Sequence, residues 1–153
     1  MNKEPPSYTF LKEIGFTLLS EGKTIKIKAE GYSMYPAVKP GSVIYIEPYK
    51  TDSGPAPGDI IAWKRESGFV VHRLVRIIMK DKRQYYITRG DSSYNEDDPV
   101  DAGLIAGRVT QMEYPEGTSL RPVKYNGRMP DYKRNRLMVR IILKVRRLQR
   151  IFS

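Results

Sequence analysis

A chain of 153 residues with 40% apolar side chains can close one hydrophobic core, and its Leu, Ile, Val and aromatic content is too high for a disordered protein. It has no cysteine and one histidine, which excludes disulfides, thiol catalysis and Cys- or His-rich metal sites. The net charge of +10 is uneven: residues 131–153 hold eight Lys or Arg against one acid, +7 in all, leaving +3 for the first 130 residues.

In chain order, Pro5-Pro6-Ser7 offers a helix start, and Tyr8, Leu11, Ile14, Leu18 and Leu19 recur at helical spacing until Glu21-Gly22-Lys23. Residues 1–23 are therefore expected to form a short amphipathic helix. Thr24 to Ala29 alternates apolar with polar and reads as a strand entering a Gly-rich turn, Gly31-Tyr32-Ser33-Met34-Tyr35-Pro36. Val43–Glu47 and Ile60–Lys64 read as strands on either side of a Pro/Gly-rich loop. Phe69–Met79 and Gln84–Thr88 flank Lys80-Asp81-Lys82-Arg83, a hairpin turn, and Leu104–Tyr114 is a last strand. Residues 24–114 thus form a mainly β domain with no internal repeat. Residues 115–130 read as a Pro- and Gly-rich linker, and 131–153 as a basic amphipathic helix.

Two single residues carry the candidate chemistry. A serine hydroxyl is a poor nucleophile until a base takes its proton, and a neutral imidazole can do so near neutral pH. Ser33 projects from a Pro-closed turn, and His72, the one histidine, lies in the alternating run Val70-Val71-His72-Arg73-Leu74. Taken alone, such a serine is usually a turn residue and such a histidine a packed strand residue. A third group would have to orient the imidazole, and the loop from Gly90 to Asp98 offers Asp91, Glu96, Asp97 and Asp98. Asp91, just after a glycine at a strand end, is expected to cap the turn by accepting backbone N–H bonds. A solvated acidic loop or an incidental Ca²⁺ site is the alternative, but the spacing does not fit an EF-hand loop.

Gly31-x-Ser33-Met34-x-Pro36, Pro57-Gly58-Asp59-Ile60-Ile61, Val71-His72-Arg73, Thr88-Arg89-Gly90-Asp91 with Asp97-Asp98, and Ala106-Gly107-Arg108-Val109 occur in the order and spacing of type I signal peptidases. More broadly, residues 24–112 resemble the S24/S26 clan of serine peptidases, which also holds LexA-type self-cleaving repressors. The resemblance implies a coiled β-sheet or barrel, a serine endopeptidase acting on a leader or signal-type peptide, Ser33 as nucleophile and a histidine-type base at His72. It places the orienting aspartate at Asp98, but the loop is one residue longer than the usual histidine-type loop, and Asp97 competes. No cofactor or metal is implied. Gly31 stands where many signal peptidases have a serine that helps hold the oxyanion, and Gly41-Ser42 where the family usually has Gly-Asp.

Two other classes share this pattern: a catalytically silent binding module on the same fold, and a LexA-like self-cleaving regulator. The second is disfavoured, because the region before Ser33 is short for a DNA-binding domain, no Ala-Gly or Cys-Gly bond precedes Ser33, and Ala106-Gly107 lies downstream in a predicted strand. In the tail, Met138, Ile141, Ile142, Val145, Leu148 and Phe152 share a helical face, with Arg136, Arg140, Lys144, Arg147 and Arg150 largely off it. That arrangement suits an anionic membrane surface, with packing on the chain's own domain and nucleic acid as the lesser alternatives. The segment before Ser33 holds neither a secretory signal nor an apolar run of about 20 residues. A cytoplasmic protein resting on the inner membrane face is expected.

Overall fold

The computed structural model describes residues 8–66, 68–117 and 119–153; the proposed helix start at Pro5-Pro6-Ser7 lies outside them. The elements are α1 (Tyr8–Ser20), β1 (Ile25–Lys28), β2 (Val43–Glu47), β3 (Ile60–Arg65), β4 (Gly68–Lys80), β5 (Arg83–Arg89), β6 (Val100–Asp101), a single 3-10 turn over Ala102–Leu104, β7 (Ile105–Glu113), β8 (Leu120–Pro122) and α2 (Tyr132–Phe152). All eight strands join one antiparallel sheet in the order β1-β2-β7-β3-β4-β5-β6, with β8 on the second half of β7. The protein is mainly β, with a helix at each end.

The sheet does not close into the barrel that the resemblance allowed. Its edges are β1, four residues long, and β6, two residues long, and the outer edge of β1 borders a groove instead of meeting another strand. The stretch expected as a linker contains β8, which pairs Leu120 with Glu113 and Pro122 with Gln111. A three-residue, solvent-exposed edge strand ending in Pro leaves no periodic signal in the sequence.

Burial follows the sequence pattern strand by strand. In β2, Ile44 and Ile46 point into the core and alternate with half-buried neighbours. β3 is buried on both faces: Ile60 and Ala62 join a cluster with Leu19, Ile25, Met34, Ile44, Ile46 and Val109, while Ile61 and Trp63 join Leu74, Tyr86 and Val100. This two-sided burial explains the uninterrupted run Ile-Ile-Ala-Trp, which alternation alone would not produce. Helix α1 covers the first cluster through Leu19 and through Phe16, whose ring lies 4.1 Å from that of Phe69. At the β4–β5 hairpin, Asp81 and Lys82 both have positive φ, the geometry of a two-residue type I′ turn. Among the described residues, no helix is long and apolar enough to cross a membrane.

Candidate active site

The serine turn is held from beneath by its neighbours in sequence. Met34 and Val38 are buried in the first core cluster, with the Val38 N–H donating to the Met34 carbonyl (2.9 Å), and this leaves Ser33 exposed between them and Tyr32. From the other side, the Ser92 N–H donates to the Ser33 carbonyl (2.9 Å) and the Ser92 hydroxyl to the Tyr32 carbonyl (2.5 Å). Gly90 makes the approach possible. A Cβ on it would sit 2.7 Å from the Ser33 carbonyl oxygen and 3.1 Å from the Ser33 Cβ.

His72 comes from β4, opposite Ile61 of β3, and its ring bridges the serine and a carboxylate. Its Nε2 lies 3.3 Å from Ser33 Oγ, and its Nδ1 lies 2.6 Å from Asp97 Oδ2. The same carboxylate oxygen accepts a hydrogen bond from the buried Thr88 hydroxyl of β5 (2.7 Å). The first distance is long for a hydrogen bond, as is common before a substrate closes over a site. Ser33, His72 and Asp97 therefore stand in the order of a catalytic triad.

The carboxylate in contact is Asp97, and the assignment to Asp98 is corrected. The Asp97 N–H donates to the Thr88 carbonyl (2.8 Å), which pins residue 97 against the end of β5 and turns its side chain to His72. Asp98, one residue further, is exposed. Neighbouring Glu96 is held by Arg76 of β4 through two oxygens, one of them 2.8 Å away, which keeps its carboxylate ionised below its ordinary range. Burial acts to raise the pKa of Asp97. The hydrogen bonds from His72 and Thr88, with the charges of His72 and Arg65, outweigh it and hold the carboxyl below its usual value of 3.8.

Asp91 does not cap a turn. Its buried carboxylate accepts Nε and Nη2 of Arg73 at 2.8 and 2.7 Å, and Arg73 Nη1 donates to the Gly58 carbonyl (2.8 Å). This buried pair ties the loop after β5 to β4 one residue beyond His72, and to the Pro57-Gly58 loop. The Asp91 carbonyl in turn accepts the side-chain amide of Asn135, a buried residue of α2 (2.9 Å). Three functional neighbours escaped the sequence reading: Thr88, Arg73 and Asn135. The first two lie in boxes already singled out, so their signal was present; Asn135 looked like one more polar position on a basic helix.

A cavity of about 840 Å³ opens beside the triad, lined by Ser33 and His72 at one end and by Ile25, Ile27, Met34, Phe69 and Val71 along its length. The Ala29 N–H bonds to the Ser42 carbonyl, and the pairs Ile27↔Ile44 and Ile25↔Ile46 continue that phase. The backbone groups of Lys26 and Lys28 consequently point to the open edge and the cavity. Ser42 itself is fully buried with its hydroxyl unpartnered. Among the described residues no group of three or more His, Cys, Asp or Glu side chains is placed to hold a metal ion. No protein-family model matches this sequence, and comparison with curated proteins gives no match.

Proposed function

We propose that this protein is a serine endopeptidase of the signal-peptidase type, working through Ser33, His72 and Asp97. The observation that carries this reading is the pair of contacts at His72, serine hydroxyl on Nε2 and carboxylate on Nδ1. With Asp97 accepting the Nδ1 proton, Nε2 is the free base that faces Ser33. As Ser33 Oγ attacks the scissile carbonyl, its proton passes to Nε2, and the Asp97 carboxylate stabilises the imidazolium. The imidazolium then protonates the leaving amine, and a water, deprotonated by the same nitrogen, hydrolyses the acyl-enzyme. The Ser33 backbone N–H is the chain's own candidate donor to the oxyanion.

The apolar cavity and the open edge of β1 fit an extended, predominantly apolar peptide, whose backbone would add a strand beside Lys26 and Lys28 and lead its scissile bond to Ser33. A leader or signal-type segment has that character. Self-cleavage at Ala106-Gly107 is not supported: that pair lies inside β7, where Gly107 is buried. A silent binding module is favoured by one observation, the absence of a side-chain donor at Gly31.

Labelling with a fluorophosphonate probe tests the proposal. The wild-type chain should be labelled, and Ser33→Ala and His72→Ala should each lose at least about 10³-fold in labelling or peptide hydrolysis, with the double variant little worse than either. A folded wild-type protein that resists the probe, or labelling that persists in Ser33→Ala, would leave the binding module as the better reading.

A further inference from the structure

The helix α2 is anchored to the catalytic loop at one end and unpartnered along an apolar stripe beyond it. Its start is capped by Asp131, whose side chain accepts the Arg134 N–H (3.0 Å). Its first turns lean on the site: Asn135 on the Asp91 carbonyl, Arg136 on the Ser93 carbonyl (3.2 Å), and the Tyr132 ring 3.6 Å from the Arg89 guanidinium. Further along, Arg146 lies over Tyr32, next to Ser33. Those contacts use one side of the helix. On another side Leu137, Ile141, Leu148 and Ile151 are 57%, 54%, 46% and 66% exposed. Their spacing of 4, 7 and 3 residues makes one stripe about 21 Å long on a helix of 21 residues.

We infer that this stripe docks the protein on an anionic lipid surface. Lys133, Arg134, Arg140, Lys144, Arg147 and Arg150 are all exposed, and no acid follows Asp131. Nucleic acid would engage the cations and leave the aliphatic stripe in water. A second copy would bring two +7 segments together. A bilayer interface takes both features at once: headgroups meet the guanidinium and ammonium groups, and the aliphatic side chains enter the acyl boundary. Because α2 is bonded to the Asp91 loop, docking holds the mouth of the site at a set distance from the surface. The corollary, that the peptide cleaved is one held at the same surface, rests on the proposed function; the docking does not.

The test uses the full-length Ser33→Ala chain, so that failure of the peptidase reading leaves it intact. Binding is measured by co-sedimentation with vesicles of phosphatidylcholine alone and of phosphatidylcholine with 30% phosphatidylglycerol, at about 0.05 and 0.5 M salt. The expected result is binding to the mixed vesicles only, weakened but not abolished by salt. The outward-facing triple variant Ile141→Ser/Leu148→Ser/Ile151→Ser should lose the salt-resistant part. The variant Arg140→Gln/Lys144→Gln/Arg147→Gln should lose about fivefold for each residue changed at low salt. Asn135 and Arg136 remain in place in both, so both retain the fold, as circular dichroism and thermal melting will verify. Equal sedimentation of all three proteins would overturn the inference. So would no binding to mixed vesicles, whether the chain instead dimerises through the stripe in sedimentation velocity or shifts duplex DNA as strongly in the triple Ser variant as in the parent.

Discussion

Replacing Asp97 by Asn is the sharpest perturbation of the site, since it changes charge at one atom and almost no volume. Asp97 Oδ2 receives two hydrogens, from His72 Nδ1 and from Thr88 Oγ1. If the Asn oxygen takes that place, both bonds survive and only the charge opposite the imidazolium is lost. A hydrogen bond to a charged group contributes about 1.5–3 kcal/mol, so the loss is roughly 10- to 150-fold in rate. If the amide NH₂ takes that place, Nδ1 must accept, the proton moves to Nε2, and the base facing Ser33 disappears; such a tautomer reversal costs up to about 10⁴-fold. Asp98→Asn should stay within about twofold. The assay is kcat/KM on a cleaved peptide, or the pseudo-first-order rate of fluorophosphonate labelling of Ser33. A larger loss in Asp98→Asn, or a folded Asp97→Asn protein within twofold of wild type, would refute the reasoning. Acid adds a second readout. The folded carboxyl titrates below its ordinary value of 3.8, so the unfolded chain binds the proton first. Its stabilisation is complete above the unfolded value and fades as pH falls through the folded one, and Asp97→Asn should remove that part of the acid slope.

Two further substitutions test the scaffold. Arg73→Leu strands the buried Asp91 carboxylate and should cost about 3–5 kcal/mol in chemical denaturation. Arg73→Lys should recover little, because one ammonium cannot reach both carboxylate oxygens and the Gly58 carbonyl as the guanidinium does; a loss below about 1 kcal/mol in the Leu variant would show the pair to be dispensable. Gly90→Ala should cost about 1–3 kcal/mol and slow labelling of Ser33, since the new methyl displaces the Ser33 carbonyl. Wild-type melting and labelling in that variant would mean the serine turn is not held by the loop.

The main strands were legible because each buries a periodic set of side chains: alternation marks β1 and β2, and a continuous apolar run marks β3. β6 and β8, two and three residues long, are too short to carry a period and exist only through their partners. In the site, Ser33 was legible as a serine in a turn bounded by Gly31 and Pro36, and His72 as the one imidazole. Asp97 was not separable from Asp98, because residue counting does not register the backbone bond from Asp97 to Thr88 that decides which carboxylate turns inward. The tail shows the same limit. Its amphipathic pattern places Met138 and Ile142 beside Ile141 and Leu148, yet the first two are half-buried and the last two exposed. Asn135, buried on the Asp91 carbonyl, rotates the helix about its axis, and a hydropathy pattern contains no information on that rotation.

Gly31 links the two proposals. Its φ of +75° is a conformation that L side chains rarely adopt, and no atom lies within 4 Å of where a Cβ would stand. Space is therefore available for a side-chain donor, and the backbone disfavours one. The turn that presents Ser33 thus leaves the oxyanion without a hydroxyl from this position, and a missing donor of that kind typically lowers turnover by 10²–10³-fold. On the proposed reading, an enzyme built this way would be slow toward a peptide met in solution. Held on a bilayer by α2, with its substrate held on the same surface, it would meet that peptide at an effective concentration set by geometry instead of by bulk dilution. The gain belongs to encounter and leaves the chemical step unchanged. On the proposed reading, adding anionic vesicles should therefore lower the apparent KM for a lipid-bound peptide and leave kcat where it was, whereas a rise in kcat would mean that docking reshapes the oxyanion site itself.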